Sequence, residues 1–366
     1  MSSNALQILC MPCLEAFGLT LESESNESAA LRFLKNDGTS IVVQARCNQN
    51  GTIQDFVLKA TPFSIHRQSS AMTAVENLLA KNDHHIVVPA RRLTASGKDI
   101  HIATGFSGAE KTVWSVTTFE ANAPSFDWLQ SPPPWTDSHS YSAGNLLART
   151  HAATRSVKTR LLDLGCEIET SIASSVPQLL LDACADAGSK YLARIGLESL
   201  EHQRLLAILR KAAAEIEDGI HAKALKAEEV VVHGDFQPGN ILYRNGNACG
   251  LIDWDYTRLD NPLMDLAYGL LMYAGNLSSQ EPAPFDTNLS CKFLQGYVDQ
   301  IAEVGHEPVC LPDCYFTPSA RDNRVFSNYM KLSAALIMLW SLSVHGQKHS
   351  CGIAVGRRTL QLLQEL

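Results

Sequence analysis

The sequence predicts an α+β protein of two lobes, a small antiparallel sheet followed by a mainly helical region, and three observations predict it. Apolar runs bounded by Asp37-Gly38 and Asn50-Gly51 fill the early chain, and such dipeptides between apolar runs are strong hairpin signals. Pro124, Pro132, Pro133 and Pro134 then interrupt any regular element. Beyond them apolar residues recur every three or four positions, as on one face of a helix. The expected organisation is a lobe over 1–119, a hinge and connector over 120–140, and a helical lobe over 141–366.

The elements follow in order. Leu6, Leu9, Leu14 and Phe17 lie near helical spacing, and Gly18 suits the end of a first helix. Strands are expected over 31–34, 40–47 and 53–60, a helix over 71–80, and further strands over 86–88, 100–104 and 113–119. After the connector come a helix over 143–154 and another carrying Leu205, Leu209, Ala213, Ile216 and Ile220 as an apolar stripe. Two short strand signals break the helical region: 230–232, and a hairpin from 241–243 through Arg244-Asn245-Gly246-Asn247 to 248–252. The apolar run 332–344 is too short to span a bilayer and suits a core helix.

Composition narrows the function. The chain has 366 residues, 45% of them hydrophobic, enough for two lobes that each bury a core. A formal charge of −8 argues against phosphate-driven nucleic-acid binding. The start of the chain lacks the pattern of a secretory signal, and ten scattered cysteines fit a reducing compartment, so a cytoplasmic protein without nucleic-acid or membrane partners is expected. Cys10-Met11-Pro12-Cys13 has redox spacing, but it falls on a predicted helix with no thioredoxin-like strand before it, which favours buried thiols.

The chemistry concentrates in His233-Gly234-Asp235-Phe236-Gln237-Pro238-Gly239-Asn240 and Ile252-Asp253-Trp254-Asp255. An acid at the end of a strand, an Asn five positions on and a second Asp leaving a hairpin can converge on one point. Carboxylate and amide oxygens suit magnesium, a hard ion. Phosphoryl transfer needs this set, because its catalysis is mainly positioning and charge neutralisation. Asp235 would hold and deprotonate the attacking hydroxyl, and Asn240 and Asp253 would hold Mg2+. The bland alternative is a strand-to-turn junction in which His233 and Asp235 cap backbone amides.

These motifs resemble the aminoglycoside phosphotransferase family, kinase-like enzymes that include choline kinases and type II homoserine kinases. The Asp-to-Asn spacing also equals that of the protein-kinase catalytic loop, but Gly234 in place of Arg and Trp254-Asp255 after Asp253 favour the small-molecule enzymes. The resemblance spans roughly 30–270 and includes Phe56-Val57-Leu58-Lys59, Leu146 to His151, and Asp265-Leu266-Ala267-Tyr268. It implies a bilobal protein-kinase-like fold, ATP between the lobes and a small-molecule hydroxyl acceptor on the helical lobe. It further implies Lys59 on the ATP phosphates, Glu76 or a neighbouring acid as its ion-pair partner, and backbone at Thr118, Phe119 and Glu120 against the adenine. The phosphate-covering loop would be 35–40, ending at Ser40, although only Gly38 there matches a glycine-rich loop. His233 and Asp265 would brace the catalytic loop.

Asp255 is a candidate substrate contact or second metal ligand, with a loop cap as the alternative. The acidic balance, with Asp255, Asp260 and Asp265 near the motif, favours an amine-bearing acceptor such as an aminoglycoside, homoserine or choline. The competing readings are a non-catalytic ATP-binding interaction protein and a protein kinase. The stretch from Asp253 to Asp265 is short for a protein-kinase activation segment.

Overall fold

A computed structural model describes residues 3–22, 30–36, 40–49, 51–62, 69–83, 85–98, 100–104, 111–120, 123–128, 130, 133–155, 157–163, 168, 175–187, 199–221, 230–277, 284–305, 324–344 and 350–365. The chain divides into two compact units, 1–81 with 87–124, and 82–86 with 125–366. The division at Pro124 falls inside the expected connector 120–140, whose last residues, from Asp137, belong to a long helix.

In the first unit α1 (Ser3–Ala16) ends before Gly18, whose φ of +61° turns the chain into β1 (Thr20–Leu21). The sheet then adds β2 (Leu31–Asn36), β3 (Ile41–Gln49), β4 (Thr52–Pro62), β5 (His101–Thr104) and β6 (Lys111–Thr118), with α2 (Ser69–Asn82) between β4 and β5. All pairings are antiparallel in the order β1-β3-β4-β6-β5, with β2 also on β3. The β3–β4 hairpin closes where Asn-Gly predicts it, and the Gly51 amide donates to Asn48 Oδ1 at 2.9 Å. The expected strand over 86–88 is absent. Val87 makes no more than an isolated bridge, Pro89 removes a ladder donor, and further on Arg91 bridges Thr117 and the Arg92 N–H donates to the Val116 carbonyl at 2.9 Å.

The core of this unit is apolar: Leu14, Phe17, Val43, Phe56, Leu58, Trp114 and Val116, with Cys10, Cys13 and Cys47 buried among them. Burial pushes the Cys10 thiol up to about 12 and Cys47 to about 11, and Cys13 higher still. Thiols held so far from the thiolate form are poor redox groups, in keeping with the buried-thiol reading of Cys10 and Cys13.

The second unit contains α3 (Asp137–Arg155), α4 (Val157–Asp163), α5 (Val176–Ala187), α6 (Ser199–His221), β7 (Val230–Val232), β8 (Ile241–Arg244), β9 (Asn247–Leu251), β10 (Arg258–Asp260), α7 (Leu263–Ala274), α8 (Thr287–Glu303), α9 (Arg324–Val344) and α10 (Ser350–Glu365). Helices α3 and α8 approach closely through glycine. A Cβ on Gly144 would sit 2.0 Å from the Phe293 carbonyl oxygen, and one on Gly296 the same distance from that of Tyr141. The apolar run 332–344 lies in α9, where Ala334, Ala335, Ile337 and Met338 are buried. Among the described residues no helix is long and apolar enough to cross a membrane. Of the predicted stripe on α6, Ala213 and Ile216 are buried, whereas the side chains of Leu205, Leu209 and Ile220 lie outside those described.

Candidate active site

Three local structures build the site. Strand β7 pairs antiparallel with β10, Val232 opposite Arg258, and its fully buried valines deliver His233-Gly234-Asp235 to the strand end. The chain then makes a 3-10 turn over Pro238–Asn240 and enters the hairpin β8–β9. That hairpin leads to Asp253, which adopts a left-handed φ of +67° before a second 3-10 turn, Trp254–Tyr256. The Ile252 amide donates to the Asn240 carbonyl at 3.0 Å, which ties the two Asp-bearing segments together.

Gly234 explains why Arg is absent from this motif. Its φ is +82°, and a Cβ there would lie 2.2 Å from the Tyr256 carbonyl oxygen, so only glycine fits. Asp265, the third residue of α7, accepts the His233 amide at 2.6 Å and the Gly234 amide at 2.8 Å. His151 of α3 approaches the same carboxylate at 3.3 Å and Tyr297 of α8 at 3.0 Å through its other ring nitrogen. Burial opposes charge on Asp265, but the hydrogen bonds from His151 and the Gly234 amide outweigh it and hold its carboxyl below the ordinary range. The His233 ring donates from Nε2 to the Ile252 carbonyl at 2.9 Å, so its Nδ1 is the acceptor facing the Asp235 amide at 3.3 Å. His233 and Asp265 therefore brace the loop.

The Asp235 carboxylate is held by three side-chain donors. Asn240 Nδ2 and Gln237 Nε2 donate to Oδ2 at 2.7 and 3.1 Å, and the Tyr268 hydroxyl donates to Oδ1 at 2.9 Å. Burial, then the charge of Asp253, raises the Asp235 pKa. Two carboxylates that oppose each other's ionisation form a place where a divalent cation is favoured. Asn240 could serve the same group: both hydrogens of its amide are committed, to Asp235 Oδ2 and to the Asp235 carbonyl at 2.9 Å, so the amide oxygen is the atom that would act as a ligand. Among the described residues no group of three or more His, Cys, Asp or Glu is arranged to hold a metal ion.

The other predicted residues are spread differently. Asp255 is half-buried on the turn after Asp253. Asp260 is committed to Arg258 at 3.0 Å and to the Asn261 amide at 2.8 Å, and Asp265 to the loop, so two of the three acids behind the amine expectation serve the protein itself. In the sheet unit Lys59 is half-buried on β4, opposite Val42 and Ser115, and Ser40 is buried just before β3. Residues 37–39 of the expected phosphate loop lie outside the described residues. Glu76 on α2 forms a bidentate, buried ion pair with Arg91, a partner the sequence did not suggest. The Thr118 and Phe119 amides donate to the Ala90 and Asp55 carbonyls at 3.0 and 3.1 Å, so a base contact from either residue falls to its carbonyl. The carbonyl of Glu120 accepts from the Ala123 amide at 3.0 Å.

Sequence reasoning missed Gln237 and Tyr268 as neighbours of Asp235. Gln237 lay inside the quoted motif, two residues from the acid. Tyr268 follows Asp265 by three positions, which places both on one face of α7.

A sheet unit, a helical unit and this loop define a kinase-like phosphotransferase fold. The model of the phosphotransferase enzyme family APH matches residues 46–300, and the chain belongs to that family. Among solved structures, amicoumacin kinase hAmiN in complex with AMP-PNP, Ca2+ and Ami aligns over 100% of this chain and 96% of its own, with 15% identity and a TM-score of 0.63. Spectinomycin phosphotransferase APH(9)-Ia, in complex with ADP and spectinomycin, aligns over 98% and 93%, with 15% identity and a TM-score of 0.58. An ethanolamine kinase of Plasmodium vivax aligns over 98% and 89%, with 15% identity and a TM-score of 0.57. A comparison of the sequence with curated proteins finds no match.

Proposed function

We propose that this phosphotransferase is an ATP-dependent small-molecule kinase that moves the γ-phosphoryl group to a hydroxyl of an amine-bearing acceptor. The observation that carries the reading is the Asp235 carboxylate, fixed by Asn240, Gln237 and Tyr268 at the end of β7 with Asp253 beside it. Asp235 orients the acceptor hydroxyl and accepts its proton as the oxygen attacks phosphorus. Asn240 and Asp253 hold magnesium, which when bound neutralises charge on the transferring phosphates. Lys59 pairs with the α- and β-phosphates, and Ser40 and the carbonyls at Thr118 and Phe119 complete the nucleotide site. Glu76 supports that site by holding Arg91, alongside any contact it makes with Lys59.

Asp255, half-buried on the turn after Asp253, would meet an ammonium group on the acceptor. The net charge of −8 supports a cationic substrate. So do the similar structures, which include an ethanolamine kinase and a spectinomycin phosphotransferase.

The test is ADP release by the purified chain with ATP and Mg2+ across aminoglycosides, macrolides, amino alcohols, amino acids and sugars. An amine-bearing acceptor should turn over, and Asp235→Asn should lower kcat by about 10²–10⁴-fold while ATP still binds. Turnover of neutral acceptors with every amine silent would overturn the amine assignment. Undiminished turnover in Asp235→Asn would overturn the mechanism.

A further inference from the structure

We propose that Tyr268 is a positioning residue for the base, leaving one lone pair of Asp235 Oδ1 as the atom site that takes the acceptor's proton. The inference rests on the kinase reading above and deepens it. A carboxylate presents about four lone-pair sites, two on each oxygen. On Asp235, Oδ2 receives Asn240 Nδ2 at 2.7 Å and Gln237 Nε2 at 3.1 Å, while Oδ1 receives the Tyr268 hydroxyl at 2.9 Å. The remaining site is therefore on Oδ1, beside the phenol.

The donors differ in origin. Gln237 and Asn240 belong to the same loop as Asp235 and move with it. Tyr268 stands on α7, most of whose residues are buried, one turn beyond Asp265. Asp265 fixes the loop backbone at His233 and Gly234, and Tyr268 fixes the base itself. One helical face thus sets both the position of the loop and the rotation of the carboxylate about χ2. Burial and the Asp235 charge push the Tyr268 phenol well above its ordinary pKa, so it remains a donor. Misplacement of a reacting group by about 1 Å can cost about 10²-fold in rate, which is why such a tether matters.

In the step itself the acceptor O–H proton passes to Asp235 Oδ1 and the acceptor oxygen bonds to the γ-phosphorus. The bond from that phosphorus to the β–γ bridging oxygen breaks, and its electron pair leaves on ADP. Tyr268 keeps its own proton throughout.

The experiment compares wild type, Tyr268→Phe, Asp235→Asn and the double variant. It uses the strongest acceptor of the panel and also ATP alone, with water as acceptor and phosphate release as readout. Loss of a hydrogen bond to a charged group predicts a kcat lower by about tenfold in Tyr268→Phe. Both KM values should stay within about twofold, because binding contacts are untouched. In the Asp235→Asn background the same change should add no more than about twofold, since a residue acting through Asp235 has nothing left to orient. Full kcat in Tyr268→Phe beside an inactive Asp235→Asn overturns the positioning role and spares the kinase reading. A further fall from Asp235→Asn to the double variant as large as that from wild type to Tyr268→Phe also overturns it, because it shows an effect independent of the base. Full turnover in Asp235→Asn, or none in the wild type even with water, removes the kinase reading and this inference with it.

Discussion

In the sheet unit the fully buried side chains are Val43, Leu58, Val116 and their apolar neighbours, and the ion pair of Glu76 with Arg91 stands apart from them. In the segment 230–277 the same depth of burial is given to His233 and Asp265, and nearly the same to Asn240, Arg258 and Asp260. An apolar core tolerates exchange of one hydrophobic residue for another of similar volume. A buried polar network does not, because removing one partner strands the others. The difference teaches where this chain should tolerate exchange and where loss of a single side chain should be costly.

The most damaging expected change is Asp265→Ala, which leaves the His233 and Gly234 amides and His151 without their acceptor. It should destabilise the protein by about 4 kcal/mol in denaturant unfolding. Asp265→Asn keeps the shape and removes the charge. Because the folded-state pKa of Asp265 lies below the ordinary carboxylate value, its stabilising contribution is fully present above that value. It is lost as pH falls through the folded-state pKa, so the stability gap between wild type and Asp265→Asn should close on acidification. A gap that widens toward low pH would contradict the network.

Glu76→Ala asks whether the sheet unit hides a polar network of its own. It leaves the Arg91 guanidinium buried without its carboxylate, and about 3 kcal/mol should be lost. Unchanged stability with weakened ATP binding would instead assign Glu76 wholly to the nucleotide.

Gly234→Ala should cost about 2 kcal/mol, from the positive φ and the shift needed to clear the Tyr256 carbonyl. Its larger signature is kinetic. Displacement of Asp235 by a fraction of an ångström to about 1 Å should lower kcat by about 10²-fold with the melting temperature only modestly reduced.

These contrasts also say what the sequence could reveal. The meeting of Asp235, Asn240 and Asp253 was legible because their motif spacing, at a strand end and a hairpin exit, lets them converge on one point, and the hairpins were legible because Asn-Gly has few uses besides a turn. The strand over 86–88 was misread because β-branched Val87 and Val88 outweighed Pro89, whose missing amide decides the matter in three dimensions. The Glu76–Arg91 pair and the Tyr268–Asp235 bond were invisible, since they join residues 15 and 33 positions apart through folded geometry with no local pattern. Asp260 looked like part of an acidic site because a sequence does not show that Arg258 lies folded back on it.

The smallest effect concerns the thiols, and it measures the apolar side of the comparison directly. The alkylation rate follows the thiolate fraction. With Cys10 raised to about 12, that fraction near pH 8 is about 10³-fold below that of an ordinary thiol, before access is considered. Cys47 and Cys13 follow the same rule. Cys249 and Cys291 are only half-buried and should be labelled by iodoacetamide in the native protein at pH 8. Cys10, Cys13 and Cys47 should be labelled only when denaturant opens the sheet unit. If they react at lower denaturant than is needed to abolish turnover, the apolar unit opens before the polar network does. If they react in the native protein as fast as Cys249, the sheet core is not closed as described and the contrast between the two regions fails.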